Sequence, residues 1–187
     1  MHRFITMIVA ALAVVTSCNN KTPDPVAAAI EAAAMKDTQG DYTFRIYDLA
    51  KIDSTTFRTE FEHRKDVFRL KQQTEEKLYW RYNAEGKPKT AESHRQAMEK
   101  AKTNLDLMDY LEREMGARID DVAYYDYVFS GYSETKEGRM TYDKVYVTVT
   151  PDYEVLTMTA NQRDLHKGTG RVIPGYVEGV SAELLEE

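Results

Sequence analysis

Reactive side chains are few in this 187-residue chain: one cysteine, Cys18, four histidines, and 31 Asp and Glu against 25 Lys and Arg. A thiolate is a strong nucleophile, so Cys18 is suited to thioether or acyl chemistry. Glu60-Phe61-Glu62-His63 has the Glu-x-x-His spacing that sets a carboxylate and an imidazole on one helix face, as in di-iron sites. Such sites need a second copy, and the residue three before His94 is Ala91. The spacing therefore reads as a solvated helix face, with His94 a contact to a neighbouring helix. His166 follows Asp164 in a glycine-rich tail and reads as an exposed loop histidine. No His-Glu-x-x-His zinc pattern and no Gly-x-Ser-x-Gly elbow occurs, and Ser130-Gly131 lacks a base. Gly168-Thr169-Gly170 neither follows a strand nor opens a helix, so it reads as a turn. Carboxylates could supply an acid–base pair only where the fold brings two together. No catalytic residue, metal or cofactor is expected, and the chain is not read as an enzyme.

The surroundings of Cys18 explain its solitude. A basic tip, His2 and Arg3, leads into an apolar run over 4–15, then into Val15-Thr16-Ser17-Cys18 and the polar Asn19-Asn20-Lys21. That order is a signal peptide, spanning 1–17. The apolar run is too short for a membrane span, which needs about 20 residues. An aliphatic residue, two small residues and a cysteine resemble the lipobox of bacterial lipoproteins, in the looser form of Bacteroidetes-like ones. The resemblance covers the first twenty or so residues. It implies that Cys18 is lipidated, becomes the mature N-terminus, and anchors the chain; two or three acyl chains hold a membrane where one does so only marginally. Asn19 is not the Asp that such families associate with inner-membrane retention, so the expected location is the outer membrane, facing the periplasm.

Composition narrows the partners. The formal net charge is −6, and loss of Arg3 with the signal peptide makes the mature chain one unit more acidic. Nucleic-acid binding needs a surplus of cations, so no nucleic-acid partner is expected. A lone cysteine forms no internal disulfide, and a mature chain of this size can bury a core without one.

The elements follow from periodicity. Residues 18–24 read as a lipidated tether, and 25–187 as one domain. Asp24 and Pro25 offer an N-cap and a first helical position to an alanine-rich helix over 26–35. Residues 42–47 alternate as a half-buried strand. From about 54 to 115 a helical hairpin is predicted, with Asp53 or Ser54 as its cap and Glu85-Gly86-Lys87-Pro88 as its turn. Strands are predicted over 122–129, 141–149 and 153–160, with a polar turn region over 131–138 and a turn at Pro151-Asp152. Val145, Val147 and Val149 are expected on one face of the second of these, Tyr142 and Tyr146 on the other. The tail is read as loop, with a short strand at 171–173.

The fold class is thus α+β: an antiparallel sheet, one strand plus a three-stranded meander, packed on an N-terminal helix, with a long helical hairpin inserted after the first strand. By element order alone this resembles the cystatin and NTF2-like class of small exported domains. Thirteen tyrosines stand out. Their strand propensity accounts for the cluster at Tyr124, Tyr125, Tyr127, Tyr132, Tyr142 and Tyr146; alternatively, Tyr125, Tyr127, Tyr142 and Tyr146 form an aromatic platform for a glycan or peptide. The expected function is that of a lipid-anchored envelope protein working through protein contacts, with a glycan- or peptide-binding module as the alternative.

Overall fold

The structure, a computed structural model, describes residues 24–36, 42–165 and 170–178. Cys18, the signal peptide, and His166, Gly168 and Thr169 lie outside the described residues. The first helix, α1 (Pro25–Met35), starts where its signals place it: Asp24 accepts the Val26 amide at 2.9 Å and Pro25 needs no acceptor. Four strands follow, β1 (Thr43–Thr56), β2 (Val122–Thr135), β3 (Gly138–Val149) and β4 (Val155–Thr159). They form one antiparallel sheet in the order β1-β2-β3-β4. Between β1 and β2 stand α2 (Phe57–Ala84) and α3 (Pro88–Met115), then a 3-10 turn at Gly116–Asp120. The architecture is the α+β meander with an inserted hairpin.

Local boundaries differ from those predicted. The hairpin starts at Phe57, because Thr56 supplies the cap by accepting the Thr59 amide, so neither Asp53 nor Ser54 does. β2 runs on to Thr135 and β3 begins at Gly138, which turns most of the predicted 131–138 loop into ladder. Glu134 and Thr135 are solvated on this strand end, while Ser133 is buried. Residues 171–173 are turn and bend. Their backbone closes on itself, the Ile173 amide donating to Gly170 at 2.9 Å.

Bulges curve the sheet and reassign its faces. β1 shifts register against β2 at Ile46/Asp48, Lys51/Asp53 and Thr55/Thr56. β3 inserts one extra residue where Phe129 pairs with Val145 and Gly131 with Tyr142. Each insertion changes the parity of the side chains beyond it. Tyr142 consequently lies on the face of Val145 and Val147, contrary to expectation, and packs on Phe44 with ring centroids 5.5 Å apart. Lys144, within the bulge, has φ 54°.

Two cores result. Under α1, Ile30 packs with Phe44, Phe129, Val147 and Val149. At the hairpin base, Phe61 and Phe68 of α2 pack with Leu107, Met108 and Leu111 of α3, and with Ile119 and Ile173. Each buried ring contributes about 2–3 kcal/mol of apolar transfer. The arms are also clamped by Lys65, whose ammonium reaches Asp109 and Glu112. Burial pulls this ammonium down, and hydrogen bonds to the two carboxylates more than reverse it, leaving it above the usual lysine range. Each 28-residue arm is about 42 Å long. The base core spans only the proximal halves, so the hairpin projects from the body. Among the described residues no helix is long and apolar enough to cross a membrane.

Candidate binding clefts around Tyr125

Strand β2 is longer than its neighbour at one end. The last pair of the β2–β3 ladder is Tyr125 with Val149, so Val122 and Ala123 extend past β3. The cause lies in the β3–β4 turn: Pro151 has no amide to extend the ladder, and the chain turns at once, Tyr153 donating to Thr150 at 3.0 Å and Thr150 to Glu154 at 2.9 Å. Tyr153 adopts φ 66° to make that turn. The resulting notch opens into a cleft of about 650 Å³. Its apolar lining includes Phe57, Ala123, Tyr125, Leu156 and Val172. Its rim carries both signs: Arg118 lies 3.6 Å from Asp121, Arg171 lies 3.5 Å from Glu154, and Asp152 stands between strands β3 and β4.

Tyr125 separates this cleft from a smaller one of about 300 Å³, lined by Val26, Lys51, Tyr125, Tyr127 and Tyr153 among others. The Lys51 ammonium sits 4.1 Å from the centroid of the Tyr125 ring, a cation–π contact. The Tyr125 and Tyr127 rings meet edge-on at 6.3 Å. Burial holds the Tyr127 phenol above its ordinary value, and the nearby Asp24, Tyr125 and Tyr153 add to this. The structure therefore brings Tyr125 and Tyr127 together. Tyr142 is elsewhere, its hydroxyl 3.0 Å from that of Ser133, and Tyr146 lines a separate cleft of about 370 Å³ with Ile52 and Val128.

Behind the main cleft lies a buried polar junction. Glu60, fully buried, accepts from the Tyr124 hydroxyl at 3.0 Å and from the Gly170 amide at 2.8 Å. Asp126, also buried, accepts from the Thr148 hydroxyl at 2.6 Å. Burial is the main reason the Tyr124 phenol is raised well above its ordinary value. Helix, sheet and tail thus meet at Glu60 through hydrogen bonds, beside the apolar core in which Phe61 packs with Ile173.

His63 is exposed on α2, but its partner in the motif, Glu60, is turned inward, so the solvated-face reading holds for one of the two. His94 does contact the opposite arm: Nδ1 lies 2.6 Å from Glu75 and the ring stacks on Tyr82. The Ser130 hydroxyl donates to Asp143. Among the described residues no group of three or more His, Cys, Asp or Glu could hold a metal ion. Sequence reasoning missed Lys51, Asp152 and Tyr153 as cleft residues; the Pro151-Asp152 turn was the available signal. It also missed the burial of Glu60, for which the Phe61 and Phe68 phase was a signal, since it tips Glu60 toward the same side of α2. No family model, curated protein or solved structure matches this chain.

Proposed function

We propose that this chain is a lipid-anchored cell-envelope protein, tethered through Cys18 to the outer membrane and facing the periplasm, that works by contacting another envelope protein with its projecting hairpin. The lipobox-like Val15-Thr16-Ser17-Cys18 supports the anchor. The observation that carries the contact surface is the outer side of α2, where Leu70 is 66% and Trp80 61% exposed on arms whose cluster of large buried side chains lies at their base. Exposed tryptophan on a rigid helix suits an interface anchor. Metabolic labelling with a palmitate analogue tests the anchor: wild type is labelled and Cys18→Ser is not, and equal labelling refutes it. Crosslinking in the native envelope tests the contact. The double variant Leu70→Asp/Trp80→Asp keeps its thermal transition and loses the crosslinked partner; retention of that partner refutes the hairpin as the surface.

A second reading is supported by the paired clefts around Tyr125 and Tyr127: a ligand site for a glycan or peptide at the end of the sheet.

A further inference from the structure

We propose that the notch where β2 outruns β3 takes an extended, basic peptide segment of a partner by strand addition. This rests on the second reading and names its ligand; it depends neither on the hairpin nor on the anchor. Strand addition needs a backbone edge without a neighbour. Val122 pairs with Thr56 of β1 and Ala123 is the extra residue at the register shift beside it, with the Phe57 amide donating to Asp121 just before them; among the described residues no strand pairs with either on the β3 side. The described tail residues 170–178 border the notch, with Arg171, Val172 and Pro174 in its lining. Their described backbone bonds, Ile173 to Gly170 and Tyr176 to Ile173, close their own turns, and among the described residues no loop backbone group bonds to Val122 or Ala123. A peptide strand placed there would extend the β3 side of the ladder at the usual spacing of about 4.8 Å.

The side chains select what such a strand carries. Phe57, Leu156 and Val172 are half-buried and offer room for an apolar residue. Both arginines of the rim already face acids, Arg118 with Asp121 and Arg171 with Glu154. Asp152 makes no ion pair or side-chain hydrogen bond among the described residues, so the charge left over at the mouth is negative. The chain as a whole is negative too, at −6. A cationic strand is therefore attracted both at long range and at the rim. A sugar chain is less well matched. Glycan stacking uses an open aromatic face, and on Tyr125 the Lys51 ammonium already covers one.

The test uses the full chain in detergent micelles and a labelled heptapeptide with three central valines flanked by two lysines at each end. Fluorescence anisotropy measures binding, and hydrogen exchange locates it. Expected is binding with slowed exchange at Val122 and Ala123. It weakens roughly tenfold when glutamates replace the lysines, when alternate valine amides are N-methylated, and in Asp152→Lys, each change removing about one good contact. Equal binding of the N-methylated peptide, or slowed exchange confined to other segments, overturns strand addition. Chitotetraose serves as the glycan arm: if it protects the same residues and the peptide does not bind, the peptide assignment falls and the ligand-site reading stands. If neither probe binds, both fall.

Discussion

The single hydroxyl of Tyr124 has an outsized structural task, because it donates to a carboxylate that has no access to water. Removing it leaves Glu60 with one donor fewer at the place where α2, β2 and the tail meet. Tyr124→Phe is expected to cost about 1–3 kcal/mol in urea unfolding while leaving the far-ultraviolet spectrum unchanged. The same residue sets an alkaline limit. Burial, together with the nearby Glu60 and Asp126 charges, raises the folded-state phenol above its unfolded value, and burial likewise raises those of Tyr42, Tyr127 and Tyr176. A raised folded value means the native state keeps protons that the unfolded chain has released. Stability from these groups is thus complete below pH about 10, the unfolded value, and declines as pH rises above it. Unfolding free energy measured from pH 9 to 12 should fall in wild type and fall less steeply in Tyr124→Phe. Parallel slopes would mean that Tyr124 is not the phenol responsible.

Among the elements, β1 is the one whose irregularity matters most. As an edge strand of 14 residues it presents a long row of backbone groups, and its three register shifts keep that row from being a flat template for other chains. One of those shifts brings β1 very close to β2. A Cβ on Gly131 would stand 2.6 Å from the Arg45 carbonyl oxygen, which is backbone and cannot rotate away. Gly131→Ala should therefore force the two strands apart and cost about 1–3 kcal/mol, more than an ordinary exposed substitution. Hydrogen exchange should show the loss first at β1, since β2 keeps β3 on its other side. An unchanged midpoint in urea would contradict this close approach.

At the scale of the whole molecule, the body and the distal hairpin are energetically separable. The two cores lie under α1 and at the hairpin base, while the outer part of the hairpin is held by contacts such as Glu75 with His94 and Tyr82 on His94. Deleting 76–93 and joining Glu75 to His94 with about four glycine and serine residues, a length common in helical hairpins, should leave a cooperative thermal transition. Loss of cooperativity in calorimetry would show that the tip stabilises the body. If the hairpin is the contact surface, the shortened chain also loses its crosslinked partner, which separates a folding role from a binding one.

What the sequence by itself determined was local and periodic. The Asp24–Pro25 start of α1, the two long arms and the turn between them, and the Pro151 turn all follow from side-chain and backbone preferences within a few residues. What only the tertiary structure decided depends on registers between distant segments. Bulges in β1 and β3 are single inserted residues with no strong sequence mark, and each inverts the faces beyond it, which is why Tyr142 turned toward Phe44 while Tyr125 and Tyr127 stayed together at the clefts. Glu60 looked like a surface acid because charged residues usually are. It is buried because Tyr124, 64 positions away, and the Gly170 amide, 110 away, supply the hydrogen bonds that make burial tolerable. The notch has the same origin: it exists because β2 and β3 end at different heights, a difference in pairing that neither strand carries alone.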